Sequence, residues 1–377
     1  MIYLDHAATT PVPRAVADAM YEVLTEQFGN PSSQYPMGLE MKRRVEVWRK
    51  TVADALGCGA KQLFFTSCGT EADNWAVTAA CWQNRHLGRH IVTTAVEHSA
   101  VLEACRWMER QGYEVTYLVP AQDGSLSAEQ VLAAVRQDTA LVSCMLVNTE
   151  TGCLVPVADI ARLLKERGSR ALLHCDAVQG FLKVPCAPAG WGVDLMSLSA
   201  HKIGGPKGIG ALYVRPDLRN LRPLLAGGGQ EEGLRSGTEA TAQIAGFAKA
   251  VALRQEGLEE KLAHMARIKA YCRERLLSIP GVVPVGGGEA PHILAVSLVG
   301  YPSANVINDL GSQGICLSAG SACHRGKASR GYAALGLDKR TAAGVLRLSF
   351  GPETTEGDID ALYEALLRHK NTRFSML

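Results

Sequence analysis

Short apolar runs alternate with amphipathic stretches from about residue 60 onwards, and no other feature of the sequence constrains the fold as strongly. The stretches between the runs, such as TEADNWAVTAACWQ and VADIARLLKERG, have the spacing of helices. Strands this apolar, joined by helices, are typical of a parallel sheet that is buried on both faces. The predicted strands are QLFFTS, IVTTA, YEVTYLVP, ALVSCMLVN, ALLHCDAV, DLMSLSA and GIGALYVR.

The chain of 377 residues is long enough for two domains. Residues 15–254 contain the alternating pattern and are predicted to form a large α/β domain. Residues 1–14 and 255–377 are predicted to form a smaller α+β domain, because a long helical stretch leads there into apolar runs of a different arrangement. Within the large domain, Ser127 and Gln130 match a capping box and predict the start of a helix.

The charge balance argues against direct contact with nucleic acid or membranes. The chain has 39 Lys and Arg against 37 Asp and Glu, so neither sign of charge dominates. No apolar stretch reaches the ~18 residues that span a bilayer, and the N-terminal sequence MIYLDHAATT lacks the pattern of a signal peptide. We therefore expect a cytoplasmic protein.

The eleven cysteines do not form a recognisable metal or redox motif. No two of them are separated by two residues, which argues against a zinc ribbon, a dithiol motif or a Cys/His metal site. Their odd number, without an export signal, argues against a disulfide framework. Most lie in apolar segments, where a thiol packs as a small hydrophobic group. Cys323 differs because it lies in SAGSACHRGKA, among small residues and before a basic stretch.

Polar residues follow several predicted strands directly, and ligands of parallel sheets bind at that edge. In FFTSCGTEADN, the backbone N–H groups of Gly69 and Thr70 and the helix dipole are suited to an anion, although an ordinary capped helix start explains the same residues. Asp176 ends the strand ALLHCD. A carboxylate at this depth is either part of a structural salt bridge or the counter-charge of a cofactor.

Three further segments offer candidate site residues. Ser199, His201 and Lys202 follow the next strand, and partial desolvation there makes a lysine amine more nucleophilic; a lysine without function is the alternative. Thr238 in LRSGTEA is a possible phosphate contact. Arg347 lies on the alternating strand VLRLSFG, where its planar guanidinium suits a substrate carboxylate or a structural ion pair.

Together these segments supply an amine, a buried carboxylate and an anion site at a helix start. These are the groups that pyridoxal phosphate requires of the protein that binds it. No single one of them is specific.

The sequence resembles the cysteine desulfurases, a branch of the class V aminotransferase family, along nearly its whole length. The resemblance implies the fold type I architecture: a large domain with a mostly parallel seven-stranded sheet flanked by helices, and a smaller α+β domain that carries a catalytic cysteine loop. It also implies dependence on pyridoxal 5′-phosphate. The motifs that carry it are YLDHAATTP, FGNPSS, TSCGTEADN, VEHSAV, VNTETG, DAVQ, SLSAHKIGGPKGIGALY, RSGTEA, SAGSAC and LRLSFG.

The resemblance implies a role for each matching residue. Lys202 would bind the cofactor covalently, Asp176 would pair with its pyridine nitrogen, and His98 would stack on the ring and assist proton transfer. Arg347 would bind the substrate carboxylate, with Asn30 nearby. The remaining implied contacts are Asn148 and Gln179 to the ring hydroxyl, with Asn148 also near the substrate, and Gly69, Thr70, Ser199 and His201 to the phosphate.

The implied reaction removes sulfur from L-cysteine, giving L-alanine and a persulfide on Cys323. In this family the threonine of RSGT reaches the phosphate of the neighbouring subunit, so Thr238 implies a homodimer. A protein acceptor would then take the sulfur, either an iron–sulfur scaffold or a thiolation factor. A selenocysteine lyase, another class V enzyme such as an aminotransferase, and a related binding protein without turnover are the alternatives.

The sequence departs from the family pattern in a few places. Cys323 is followed by His324, Arg325 and Lys327 where many relatives have small hydroxyl residues; these charges either favour the thiolate and an acidic acceptor or are ordinary surface charges. His6 occupies a position where asparagine is frequent, and its role is open. Cys316 either relays sulfur or is a buried strand thiol.

Overall fold

The computed structural model describes residues 1–218, 221–320, 330–373 and 375. A seven-stranded sheet lies at its centre. One strand, β8 (Gly210–Val214), runs antiparallel to both of its neighbours, and the other six strands are parallel to one another. This confirms the expected mostly parallel seven-stranded sheet. In spatial order its strands are β2 (Leu63–Thr66), β8 (Gly210–Val214), β7 (Leu195–Ser199), β6 (Leu172–Asp176), β5 (Thr139–Met145), β3 (His90–Thr94) and β4 (Glu114–Leu118).

Burial on both faces explains the apolar runs in the sequence. Every residue of these strands except those of the edge strand β4 is buried. Successive residues alternate between two cores: Leu141 packs with Trp75 and Val101 on one face, and Val142 packs with Val52 and other apolar side chains on the opposite face.

Helices cover both faces of the sheet. On one face lie α3 (Gly69–Gln83) and α4 (Ser99–Arg110), whose buried side chains share a core with alternate strand residues. The opposite face is covered mainly by α2 (Pro36–Leu56), α6 (Val157–Glu166) and α8 (Thr241–Gln255). The helices of this part of the chain are α1 (Arg14–Thr25), α2 (Pro36–Leu56), α3 (Gly69–Gln83), α4 (Ser99–Arg110), α5 (Ala128–Ala134), α6 (Val157–Glu166), α7 (Pro188–Trp191) and α8 (Thr241–Gln255).

The C-terminal part has its own apolar core around a three-stranded antiparallel sheet in the order β12 (Val345–Ser349), β10 (Ile293–Leu298), β9 (Val282–Pro284). The N-terminal strand β1 (Ile2–Tyr3) joins this part by pairing parallel to β11 (Ile315–Cys316). Its elements are α9 (Leu258–Leu277), β9 (Val282–Pro284), β10 (Ile293–Leu298), α10 (Ser303–Ser312), β11 (Ile315–Cys316), α11 (Arg330–Ala334), α12 (Lys339–Ala343), β12 (Val345–Ser349) and α13 (Glu356–Thr372).

The domain boundaries stay a prediction. The proposed division after residue 254 falls one residue before the end of α8. The predicted capping box does form: the Ser127 hydroxyl accepts the N–H of Gln130 at 3.2 Å, and the Gln130 side chain accepts the N–H of Ser127 at 2.8 Å. Among the described helices, none combines the length and the apolar character that crossing a bilayer needs.

Candidate active site

The carboxyl ends of β2, β5, β6 and β7 meet at one edge of the sheet, because these strands are parallel. A cavity of about 270 Å³ opens there, and we call it the strand-end cavity. Residues from the N-terminal segment and from β12 complete its wall. The predicted site residues that line it are Gly69, Thr70, His98, Asp176, Gln179, Ser199, His201, Lys202 and Arg347.

Asp176 is the last residue of β6 and is buried in the wall of the strand-end cavity. One of its carboxylate oxygens accepts the backbone N–H of Val178 at 2.9 Å. Burial raises the pKa of Asp176, while His98, the Val178 N–H and Lys202 act in the opposite direction. A cationic group beside this carboxylate would offset the cost of its burial.

Two more buried carboxyl groups, neither of them predicted from the sequence, lie near Asp176. Asp73 is 1% exposed, and burial, with the nearby Asp176, raises its pKa well above the usual range. Glu97 accepts hydrogen bonds from the Thr94 hydroxyl at 2.8 Å and the Met145 N–H at 3.0 Å, and burial raises its pKa to about 8. The sequence signal that could have indicated them is their position inside motifs, Asp73 in TEADN and Glu97 in VEHSAV.

Lys202 ends the short 3₁₀ turn that follows β7. Its amine donates hydrogen bonds to the carbonyl oxygens of Ala7 at 2.5 Å and Ala8 at 2.8 Å. The N-terminal segment therefore crosses the edge of the large sheet at the position of this lysine. The Lys202 side chain lines the strand-end cavity on one side and a second cavity on the other.

The N-terminus of α3 forms a pocket suited to an anion. Gly69 is its first residue, and a Cβ atom added there would lie 2.9 Å from a methyl group of Val178. The hydroxyl oxygen of Ser199 is buried beside it and has no hydrogen-bond partner among the described residues. His201 contacts the Thr9 hydroxyl at 3.2 Å, and burial together with the charge of Lys202 lowers its pKa to about 3. Free N–H groups and an unused hydroxyl at a helix N-terminus are the features that bind phosphate.

Arg347 is 1% exposed on β12 and faces the same cavity. It donates to a carboxylate oxygen of Asp5 at 2.9 Å and to the Thr149 carbonyl at 2.9 Å. Its Nε atom has no hydrogen-bond partner among the residues described. The structural ion pair that the sequence left open is therefore present, and the guanidinium still has an unused donor at Nε.

Gln179 lies in the wall but is already engaged: its amide nitrogen donates to the Ala7 carbonyl at 2.8 Å, and its oxygen accepts from Lys183 at 3.1 Å. Asn148 is not among the residues that line the strand-end cavity. Its oxygen accepts three hydrogen bonds from Glu150 and Thr151, and its amide nitrogen donates to the Val96 carbonyl at 3.2 Å. The roles expected for both amides stay predictions.

Two more predicted residues do not reach the cavity within this chain. Asn30 is exposed, and its side chain accepts the N–H of Ser32 at 2.9 Å. Thr238 is exposed in the loop before α8, next to a smaller pocket that Arg235 also lines. Their predicted roles involve residues or ligands beyond this single chain.

The predicted nucleophile Cys323 lies outside the described residues, as do His324, Arg325 and Lys327. Gly320, the last described residue before them, lies against Glu150 and Tyr332. Cys316 is partly buried on β11, opposite Tyr3. His6 is buried and lines the second cavity, where it lies 3.4 Å from Glu353.

Comparison with known proteins gives a match along nearly the whole chain. The family model Aminotransferase class-V matches residues 2–362. "Cysteine desulfurase IscS" of Methanosarcina thermophila is 38% identical over 383 residues, covering 97% of this chain and 91% of that protein. Among solved structures, "NIFS-LIKE PROTEIN" superposes with a TM-score of 0.93 at 34% identity, covering 99% of this chain and 100% of the other. "SspA in complex with cysteine" gives a TM-score of 0.80 at 32% identity, with 94% and 100% covered.

Proposed function

The chain belongs to the class V aminotransferase family, and we propose that it is a cysteine desulfurase. It takes sulfur from L-cysteine and leaves L-alanine and a persulfide on Cys323. Relatives that match it over almost their full length are named cysteine desulfurases, and one structural neighbour was solved with cysteine. The reaction balances without an outside oxidant, since a thiol and L-cysteine give a persulfide and L-alanine.

The observation that carries this proposal is the convergence of Lys202, Asp176 and His98 on one cavity beside an anion pocket. Three separate strand ends and a helix start supply these groups, so no local sequence constraint forces them together. Pyridoxal 5′-phosphate needs this set of groups in its protein.

The residues present fit that cofactor. The N-terminus of α3 and the unpartnered Ser199 hydroxyl would hold its phosphate, and the close approach of Val178 to Gly69 leaves no space for a larger residue. Asp176 would face the ring nitrogen and Lys202 would hold the cofactor covalently. When bound, the ring supplies an electron sink that stabilises negative charge next to the substrate's amino group.

The chain's own groups then handle the substrate and its protons. Arg347 is fixed by Asp5 and Thr149, and the N–H groups of its guanidinium that these two contacts leave unused would bind the substrate carboxylate. The Lys202 amine is placed to move the α-proton of L-cysteine. The Cys323 thiolate attacks the substrate sulfur, the carbon–sulfur bond breaks, and the carbon takes a proton to complete L-alanine.

A homodimer is part of this proposal. Large apolar side chains are exposed along α1, α2 and the segment between them, and such a surface is characteristic of an interface. Thr238, exposed on its own chain, would then contact the cofactor of the partner subunit. The exposed apolar residues are Tyr21, Leu24, Phe28, Tyr35, Met37, Leu39 and Val47.

Delivery of the persulfide requires a protein acceptor, an iron–sulfur scaffold or a thiolation factor, within the cytoplasm. His324, Arg325 and Lys327 follow the nucleophile and would attract an acidic acceptor surface. Persulfide formation in Arg325→Ala/Lys327→Ala tests whether these charges act on the thiol: an unchanged pH profile would show that they do not.

The proposal is tested by purifying the protein with pyridoxal 5′-phosphate and recording its absorption spectrum before and after L-cysteine. We expect a yellow protein whose spectrum changes and which releases equimolar alanine and sulfide in the presence of a thiol. Cys323→Ala should keep the colour and lose sulfide release, whereas Cys316→Ala should keep both. A colourless protein contradicts the proposal, and sulfide release by Cys323→Ala at the normal rate points to a different class V reaction.

A further inference from the structure

A second cavity lies on the opposite side of Lys202 from the strand-end cavity. Its volume is about 420 Å³, within the range of small-molecule sites. The N-terminal segment, the end of α8 and the segment after β12 form its walls. We call it the basic cavity, after the cationic and imidazole side chains that line it: His6, Lys183, Lys202, Arg254, Lys261 and His292.

Lys183 is the most deeply buried of these cations, at 4% exposure. Its amine donates to the Gln179 side chain at 3.1 Å, and no carboxylate of the described residues lies within ion-pair distance of it. Burial, with the charges of Arg254, Lys202 and Arg347, lowers the pKa of Lys183 well below its usual range. A buried ammonium group normally has a negative partner, because isolated charges are costly to bury.

Arg254, in the last turn of α8, is a second cation of this cavity without a carboxylate in ion-pair contact among the described residues. Its guanidinium makes two long contacts, to the Leu182 carbonyl at 3.3 Å and to the Met265 sulfur at 3.7 Å. Within the described part of the chain it forms no ion pair; Glu353 is only near enough to raise its pKa against the lowering effect of burial. The planar fork of this side chain, which suits a carboxylate, is thus still available.

His292 supplies an independent sign that the basic cavity binds a polar ligand. It is 1% exposed, and its Nδ1 atom is buried without a hydrogen-bond partner among the described residues. Its other ring nitrogen lies 3.4 Å from the Gln179 oxygen, an acceptor, so that nitrogen carries the hydrogen. Nδ1 is then a bare acceptor, and beside a ligand carboxylate it takes up a proton and donates to that carboxylate.

The acidic residues of the basic cavity do not balance its cations. Glu353 and Glu256 are both exposed, and Glu353 lies 3.4 Å from His6. Lys261 is occupied by the backbone, through the carbonyls of Leu253 and Glu256. Lys183 and Arg254 are therefore the basic groups of this cavity that lack a carboxylate partner among the described residues.

We propose that the basic cavity binds a small organic carboxylate, with Arg254 and Lys183 on its carboxylate and the apolar wall around its carbon chain. Inorganic anions would use the same cations, but Val12, Ile203 and Phe350 give this wall an apolar surface that favours an aliphatic body. An ammonium group on the ligand would face the cations of the cavity. The site therefore prefers a carboxylic acid without an amine, and this distinguishes it from the amino-acid site in the strand-end cavity.

Isothermal titration calorimetry of the holoenzyme with succinate, at constant ionic strength set by chloride, tests this site without using turnover. We expect saturable binding of succinate and about 10-fold weaker binding of L-aspartate, which differs from succinate by one amino group. Arg254→Gln should weaken succinate binding by about 10- to 100-fold, as expected for the loss of a charged hydrogen bond. Lys249→Gln, an exposed change on the same helix, should leave it unchanged.

Arg254→Lys should restore part of the affinity, which a merely structural role of this arginine would not explain. Thermal unfolding in succinate and in chloride gives a second measurement: the wild type should gain stability from succinate, and a folded Arg254→Gln should gain less. Absence of saturable binding, or equal affinity in wild type and Arg254→Gln, would overturn the proposal.

Discussion

The two cavities that meet at Lys202 have opposite electrostatic character. Asp73 and Asp176 line the strand-end cavity, and the buried carboxyl of Glu97 lies near Asp176. The basic cavity contains Lys183 and Arg254, with its carboxylates only at the exposed rim. Because a buried ionic group needs an opposite charge, Asp176 suits the first cavity to a cationic group such as a protonated ring nitrogen, and Lys183 and Arg254 suit the second to an anion. The charge of each wall thus indicates what that wall binds.

Removing the amine that both cavities share has the largest expected effect. Lys202→Ala should lower sulfide release from L-cysteine by more than about 100-fold, because it removes both the covalent attachment and the proton-transferring group. The yellow colour of the holoenzyme should be lost as well. Lys207→Ala, an exposed lysine in the same glycine-rich turn, is the control and should behave as wild type. Turnover by Lys202→Ala near the normal rate would break the assignment.

Removing the negative charge of Asp176 from the strand-end cavity is expected to have the next largest effect. Asp176→Asn keeps the shape of the side chain and removes its charge, so we expect kcat to fall by about 100-fold or more. The spectrum of the bound cofactor should shift with loss of the ring-nitrogen proton. Asp194→Asn removes another buried carboxyl, one paired with Arg215 outside the cavity, and should affect stability without that spectral shift. The same spectral and kinetic change in both variants would contradict a specific role for Asp176.

Arg347 is the guanidinium group of the strand-end cavity, and its variants separate substrate binding from a structural role. Arg347→Gln should raise KM for L-cysteine by about 10- to 100-fold through loss of a charged hydrogen bond. Asp5→Asn breaks the same ion pair but leaves the guanidinium, so it should cost stability with a smaller change in KM. If the two variants raise KM equally, Arg347 acts only through its ion pair.

The buried carboxyl of Glu97 gives a smaller effect that depends on pH. Burial raises its pKa from 4.5 to about 8, so between these values the folded protein holds a proton that the unfolded chain has released. Stability should therefore fall as pH rises from about 5 to 8, by up to about 1.4 kcal/mol per pH unit from this group. Urea unfolding of Glu97→Gln should show a shallower fall than wild type, and the exposed control Glu103→Gln should not. Parallel curves for Glu97→Gln and wild type would show that this carboxyl is ionised in the folded protein.

The sequence predicted the polar edge of the sheet better than the interior behind it. Asp176, Ser199 and Lys202 directly follow apolar strands, so their shared location follows once the strands are taken as parallel. The burial of Asp73 and Glu97 was not predicted, because a carboxyl group within a helix or loop motif is usually exposed to water. The cofactor contact that the resemblance implies for Asn148 stays a prediction, and the structure adds that its side-chain oxygen accepts hydrogen bonds from Thr151.

By itself the sequence determined the strands and helices, the polar strand ends and, through the resemblance, the family. A sheet that is buried on both faces requires near-continuous apolar strands, and these can be recognised from short stretches of sequence. The antiparallel direction of β8 and the basic cavity were decided only by the tertiary structure. His6, Lys183, Arg254 and His292 come from four distant segments, and each alone resembles an ordinary polar residue. Only long-range packing brings these basic groups together and removes them from water. Once buried, they are stabilised by an anionic partner.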